Sequence, residues 1–161
     1  MIVNGAILAT QGIIALNYRG SVMPFRPDDP QIHARHVDLT IREIVKYERE
    51  GKGHKWEATD TIPWNEASRH VHLELGYYRV EFNEVVKMPD NYAGTIKSDN
   101  NKYCYNHRAR IFTDIRCGYE GPLRALFSVN GIGGIDVFER SKLAQMVFYR
   151  VKSDLDNLAS P

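Results

Sequence analysis

Two groups of residues in this 161-residue chain have the types and spacing to do chemistry. The first is His70-Val71-His72, with Glu74 two positions on. Along a strand, residues i, i+2 and i+4 share a face. Both imidazoles and the carboxylate could then point one way and hold a metal ion; the same pattern also suits a plain solvated strand face. The second group is the stretch 97–116. There Lys97, Lys102, Arg108, Arg110 and Arg116 stand against Asp99 and Asp114, a local excess of +3 in a chain whose net formal charge is +1. Arginine grips phosphate oxygens in pairs and lysine neutralises them as a point charge. Such a patch suits a small polyanion, or else a charged sheet edge guarded against pairing with other chains.

Composition narrows the partners. With 21 Lys+Arg against 20 Asp+Glu, the chain lacks the basic excess of a duplex binder, so no nucleic-acid duplex is expected. At 43% hydrophobic and 25% charged it reads as an ordinary soluble globular protein. The length fits one domain over residues 1–151, followed by a polar tail over 152–161. No apolar run approaches the roughly 20 residues that cross a bilayer, and residues 1–16 lack the basic start of a secretory signal. Cys104 and Cys117 are too few for a disulfide framework. The expectation is a cytoplasmic protein with reduced thiols and no membrane partner.

The elements that must position these residues are mostly strands. Residues 4–11 read as a short helix with Asn4 as N-cap, ended by Gly12. Ile13–Leu16 reads as a strand, and residues 20–34, with three prolines, as a loop. Val37, Leu39 and Ile41 alternate with polar residues, although Val37, Ile41, Ile44 and Val45 also fit a helical stripe. Residues 48–55 read as a turn. From residue 70 on the pattern is β: Val71, Leu73 and Leu75, then Tyr78, Val80 and Phe82, then Arg108–Phe112, Leu123–Val129, Ile135–Phe138 and Leu143–Val151. Many short strands with regular turns predict a sandwich, jelly roll or barrel.

Three segments add order to this pattern: Val85-Val86-Lys87-Met88-Pro89-Asp90-Asn91-Tyr92-Ala93-Gly94, then Ile115-Arg116-Cys117-Gly118-Tyr119-Glu120-Gly121, then Leu143-Ala144-Gln145-Met146-Val147-Phe148. In this succession the sequence resembles the family of trimeric dUTPases and dCTP deaminases. The helix–glycine–strand start and His36-Val37-Asp38-Leu39 are similar to the deaminase branch. The resemblance covers about residues 1–151. It implies a mainly β, distorted β-barrel or jelly-roll subunit of the β-clip kind with a short N-terminal helix, assembled as a homotrimer with active sites between subunits.

The resemblance also assigns roles. Asp38 matches the aspartate of the first motif. Asp99-Asn100-Asn101 stands where the family has Arg-Ser-Ser; the Asn100 and Asn101 amides can donate to phosphate oxygens, while Asp99 repels them unless a divalent cation sits between. Arg116 occupies the place of the aspartate that orients the attacking water, and Asp114 lies two residues earlier on the same strand face. Tyr119 fits the aromatic beside the nucleoside, and Gln145 the residue that meets phosphate. The strand after the Gly-Tyr-x-Gly motif, Leu123–Phe127, carries no carboxylate to serve as the deaminase base. The glycine-rich closing arm of dUTPases has no counterpart in residues 154–161.

The leading expectation is thus a diverged member that binds a pyrimidine deoxynucleotide. If it is active, Mg²⁺ assists attack of water on the triphosphate, Lys97, Lys102, Arg108 and Arg110 neutralise phosphate, and Asp38 or Asp114 positions water or metal. The competing expectation is a catalytically inactive homotrimer that scaffolds or regulates. A third is a metal-dependent, cupin-like enzyme built on His70, His72 and Glu74, although the cupin pattern spaces its glutamate further on and only His107 lies downstream as a third histidine.

Overall fold

The longest alternating run in the sequence becomes the longest strand. In the computed structural model, Tyr78, Val80, Phe82 and Val86 point into the core from the 12-residue strand Gly76–Lys87. The model describes residues 12–18, 21–26, 28–49, 56–99 and 109–151. Twelve strands run through them: β1 (Ile14–Tyr18), β2 (Ser21–Pro24), β3 (Val37–Leu39), β4 (Ile41–Arg49), β5 (Trp56–Thr61), β6 (His70–Leu73), β7 (Gly76–Lys87), β8 (Tyr92–Ser98), β9 (Ala109–Ile115), β10 (Glu120–Val129), β11 (Ile135–Phe138) and β12 (Ala144–Arg150). The described residues contain no helix. The short helix expected over residues 4–11 lies outside them, as does most of the turn expected over 48–55.

The main sheet follows the order β2-β1-β7-β10-β9-β8-β12-β3, with β4 on β7 and β5 on β4; β11 and β6 form a separate pair. All recorded ladders are antiparallel. One residue, Thr40, separates β3 at the far end of this order from β4, which pairs with β7 near its start. The sheet must therefore curl back on itself, and its inner face encloses one apolar cluster running from Ile14 through Phe82 and Phe127 to Phe148 and Val37. Register shifts within β4 and β10 supply bends for this curvature. The pattern of strands left sandwich, jelly roll and barrel open, and this curled sheet is of the distorted-barrel kind that the family resemblance implied.

The seam has its own chemistry. β7 pairs with β4 from Tyr77 to Phe82, then with β1 from Glu84 to Val86. At the change of partner, the Asn83 backbone N–H donates to the Thr40 carbonyl at 2.9 Å, and its side-chain amide donates to Thr40 Oγ1 at 3.0 Å. The next inward position on β7 is Glu84, which is fully buried.

One ambiguity closed and one expectation changed. The stretch 37–45 is strand on both sides of a break at Thr40, as the alternation suggested, and its apparent helical stripe reflects inward-facing residues of the two strands. The stretch 20–34 is not all loop, because Ser21–Pro24 pairs with β1. All four residues of β2 are exposed. An edge strand with no buried face carries no apolar period, and Pro24 is tolerated at its end because an edge needs fewer backbone donors.

Candidate functional site

Three candidate residues meet by register. Asp38 on β3 is opposite Gln145 on β12, and Gln145 is opposite Lys97 on β8. Directly paired residues share a face, with Cβ atoms about 5 Å apart. Their neighbours Val37, Leu39, Ala144, Met146 and Ile96 fill the core, so this row lies on the opposite face. Lys97 is in turn opposite Phe112 on β9, where Arg110 and Asp114 flank it at the same parity. One face of β3, β12, β8 and β9 thus carries Asp38, Gln145, Lys97, Arg110 and Asp114.

Asp38 is the most constrained of these. It is 5% exposed. His33 Nε2 lies 2.7 Å from its Oδ2, His36 Nε2 3.3 Å from its Oδ1, and Lys142 Nζ 3.4 Å from Oδ2. The backbone fixes this arrangement: His33 N donates to the His36 carbonyl at 2.9 Å and Asp38 N to the Gln31 carbonyl at 2.8 Å. Asp114, by contrast, is exposed, and Thr95 Oγ1 donates to it at 2.9 Å. The two carboxylates thus differ in kind: Asp38 is shut in among basic groups, while Asp114 is open to solvent.

Arg116 and Tyr119 sit in the turn after β9 rather than in this row. Arg116 is four positions past Phe112, about 13 Å along an extended chain, and two positions past Asp114. Tyr119 is half-buried against the core, its hydroxyl donates to the Pro122 carbonyl, and its own carbonyl accepts Met88 N at 2.7 Å. Asn100, Asn101, Lys102 and Arg108 lie outside the described residues. A cavity of about 300 Å³ between Arg42, Thr61, Trp64 and Glu81 contains none of the candidates.

The histidine strand does not assemble a metal set. β6 ends at Leu73, so Glu74 falls beyond the ladder. His72 Nδ1 is 2.8 Å from Asp136 Oδ1, its cross-strand partner, and His70 is bonded to Ser68 Oγ and stacks obliquely near Phe138. Among the described residues, the set of three whose ligand atoms all lie within 4.8 Å of one another is His33, His36 and Asp38. Sequence reasoning passed over His33 and His36. The signal was present as a His-x-x-His-x-Asp spacing.

Glu84 was missed as well. Thr40 N donates to its two oxygens at 3.1 and 3.0 Å, Thr40 Oγ1 donates at 2.7 Å and Gln31 Nε2 at 3.0 Å. Burial pushes its carboxyl up to about 6, against the Thr40 and Gln31 hydrogen bonds that pull it down. The same Gln31 amide donates to the Asp38 carbonyl at 2.9 Å. Glu84 therefore braces the seam of the barrel and the backbone of the Asp38 strand together.

Comparison with known proteins gives this geometry a context. No family model matches the chain. It is 26% identical over 145 residues to a probable deoxyuridine 5'-triphosphate nucleotidohydrolase of Methanococcoides burtonii, covering 80% of this chain and 78% of that protein. A protein of the same description from Methanosarcina acetivorans is 26% identical over 134 residues, covering 80% and 77%. In structure, the chain superposes on the 2'-deoxycytidine 5'-triphosphate deaminase of Agrobacterium tumefaciens with a TM-score of 0.68 at 17% identity, over 94% of this chain. The chain has the dUTPase/dCTP deaminase fold and resembles that superfamily in sequence. It spans about half (48%) of the deaminase's length. Against the dUTPase of Staphylococcus aureus phage phi11 the TM-score is 0.56 at 16% identity, over 87% of this chain and 90% of that one. On this dUTPase-like frame, the row of Asp38, Gln145 and Lys97 joins residues up to 107 positions apart in the sequence. No helix among the described residues is long and apolar enough to cross a membrane.

Proposed function

We propose that the chain is a diverged dUTPase- or dCTP deaminase-like protein that binds a pyrimidine deoxynucleotide of the dUTP or dCTP type. The observation that carries this reading is the Asp38–Gln145–Lys97 row on a sheet of that fold. Lys97 and Arg110 take phosphate charge, and the Gln145 amide donates to a phosphate oxygen. Asn100, Asn101, Lys102 and Arg108 are next in sequence to these two basic residues and belong to the same proposal. Arg116 and Tyr119 lie in the turn beyond Asp114, at one end of this face, and in a homotrimer a nucleotide lying between subunits would meet the Lys97 row and this turn from different copies. A cytoplasmic setting completes the reading.

Magnesium enters only with the nucleotide. Mg²⁺ requires a near-octahedral shell of oxygens. Asp38 faces two imidazoles and an ammonium, and Asp114 offers a single exposed carboxylate. These residues do not make a magnesium site by themselves. A solved dUTPase neighbour is described as coordinating a structural Mg(II) ion, which concerns that protein.

Arg116 favours a second reading, in which the homotrimer binds without turning over and serves as a scaffold or regulator. A guanidinium stays protonated in proteins and cannot act as a base toward water. Asp114 is then the residue left to position water for hydrolysis. Incubation with dUTP and with dCTP plus Mg²⁺, following pyrophosphate and ammonia, separates the readings: pyrophosphate from dUTP that is lost in Asp114→Asn supports catalysis, and no turnover supports the scaffold.

Binding is tested apart from turnover. At a ligand concentration about 100 times Kd, a bound nucleotide adds about 2.7 kcal/mol, which for a chain of this size raises Tm by about 5–10 °C. Lys97→Glu is expected to remove most of that rise while leaving the unliganded Tm within about 2 °C, since the side chain is exposed. A flat response of the wild type to every nucleotide would end the nucleotide reading.

A further inference from the structure

The group around Asp38 is more than a set of charge partners for one carboxylate. We propose that His33, His36 and Asp38 form a binding site for a divalent, imidazole-preferring metal ion of the zinc class, with at least one coordination position left open. His33 and His36 stack at 4.4 Å between ring centroids, 18° from parallel, so their in-plane lone pairs run side by side and one ring must turn for both Nε2 atoms to aim at a single ion. Both nitrogens converge on the same carboxylate, at 2.7 Å from Oδ2 and 3.3 Å from Oδ1. All three ligand atoms lie within 4.8 Å of one another. Tetrahedral zinc ligands at 2.0–2.1 Å stand about 3.3 Å apart. The His36 pair has that spacing to Oδ1 and the His33 pair is about half an ångström short of it to Oδ2, so the carboxylate must also turn to offer one oxygen to an ion held by both rings.

The scaffold suits such a site. The chain from Gln31 to Asp38 doubles back on itself, with His33 N bonded to the His36 carbonyl, Asp38 N to the Gln31 carbonyl, and Ile32 bridged to Val37. The backbone that spaces the three ligands is therefore fixed before any ion arrives. Asp38 is buried, His36 half-buried and His33 exposed, which leaves an entry path from solvent on the His33 side. Two imidazoles and one carboxylate are a donor set for Zn²⁺, Co²⁺ or Ni²⁺ rather than for Mg²⁺ or Ca²⁺, which take oxygen. Three protein ligands leave the fourth tetrahedral position open, as in catalytic rather than structural zinc sites.

Lys142 is the competing cation. Its ammonium lies 3.4 Å from Asp38 Oδ2, and its side chain is 44% exposed, so it can turn toward solvent when an ion arrives. The open position faces the same side of the sheet as Gln145, the register partner of Asp38. An oxygen ligand of a bound molecule, such as a phosphate or carboxylate oxygen, could complete the shell. The site stands independently of the nucleotide reading, because its ligands come from this chain alone.

The test uses the full chain without an affinity tag, stripped of metal by chelator and dialysed. Titration with Co²⁺ should produce the visible bands of a low-coordinate cobalt centre, saturating at one equivalent per chain, and Zn²⁺ should abolish them stoichiometrically while millimolar Mg²⁺ does not. The double variant His33→Ala, His36→Ala should lose the cobalt spectrum and bind Zn²⁺ at least about tenfold more weakly, with a metal-free melting curve showing that it folds. The proposal is overturned if the wild type gives no cobalt spectrum or takes up only a small fraction of an equivalent of zinc. It is equally overturned if the folded double variant binds as the wild type does. Should the double variant not fold, the wild-type stoichiometry and the Mg²⁺ competition decide alone.

Discussion

Glu84→Ala lowers the unfolding free energy by about 3–5 kcal/mol, measured by denaturant titration at pH 7. The carboxylate accepts the Thr40 backbone N–H, the Thr40 hydroxyl and the Gln31 amide at the point where the sheet curls back on itself. Removing one partner of a buried hydrogen bond costs about 1–3 kcal/mol for the group left behind. Gln31 keeps its bond to the Asp38 carbonyl, so its share is at the low end. Thr40 N gives both of its hydrogen bonds to Glu84, and its share is at the high end. The side chain removed also leaves a void next to Phe82 and Val86 on the inner face of β7. A loss below about 1 kcal/mol would show that the seam does not depend on this carboxylate.

The same residue sets a pH dependence whose sign follows from burial. Glu84 titrates near 4.5 when unfolded and near 6 in the folded chain. Between those values the folded chain holds more protons, so stability falls as pH rises. The contribution of the protonated form is full below pH 4.5 and lost above pH 6, a change of about 2 kcal/mol. Glu84→Gln cannot titrate there. The stability of the wild type minus that of Glu84→Gln should therefore decline by about 1.3 kcal/mol between pH 4.5 and 6, the rest of the change falling about one pH unit to either side, while other groups titrate in both proteins and cancel. A flat difference would mean that burial does not disfavour the ionised form at this site.

Much of this architecture was legible, and particular residues show where legibility stops. The β7 alternation of Tyr78, Val80 and Phe82 gave both the strand and its buried face, because period two is imposed by the backbone itself. Glu84 occupies the one inward position of that run between Phe82 and Val86 where an apolar residue is expected. A charged residue in an apolar row was thus a visible anomaly, although its partners Thr40 and Gln31 were not. β2 was hidden because it buries nothing. The meeting of Asp38, Gln145 and Lys97 depends on the pairing of β3, β12 and β8, which are separated by long stretches of chain, and no local pattern specifies such a pairing. The order of motifs pointed to the right fold because it samples the whole sheet at once. The His33–His36–Asp38 spacing was local enough to read, but convergence of the two rings depends on a reversal that the prolines and charges of residues 24–35 left looking like loop. The His70–His72–Glu74 reading shows the opposite case: spacing gave a shared face, and the end of β6 at Leu73 with Asp136 across from His72 took the residues elsewhere.

Among the described residues, Gly134→Ala is expected to be the most damaging glycine-to-alanine change, costing about 2–5 kcal/mol. Gly134 has φ +67° at the entry to β11, in the left-handed region that costs an alanine roughly 1–2 kcal/mol. A Cβ there would stand 3.0 Å from the Leu73 carbonyl carbon and 2.8 Å from His72 Nε2, and closer still to the Leu73 oxygen. His72 can turn aside, being half exposed in its side chain. The Leu73 carbonyl cannot, because it belongs to the backbone of β6 and Leu73 pairs with Ile135, the residue after Gly134. The methyl group must therefore push β6 from β11, and both strands send buried residues, Leu73, Ile135 and Val137, into the core. Overpacking of this kind costs about 1–3 kcal/mol beyond the backbone strain. Gly133 provides the control. Its φ is +89°, but a Cβ at Gly133 meets nothing within 4 Å. Gly133→Ala should lose only the backbone share, and the difference between the two variants in denaturant titration measures the collision itself. Equal losses would mean that β6 and β11 yield without penalty, and that the small sheet does not bear on the packing of the barrel.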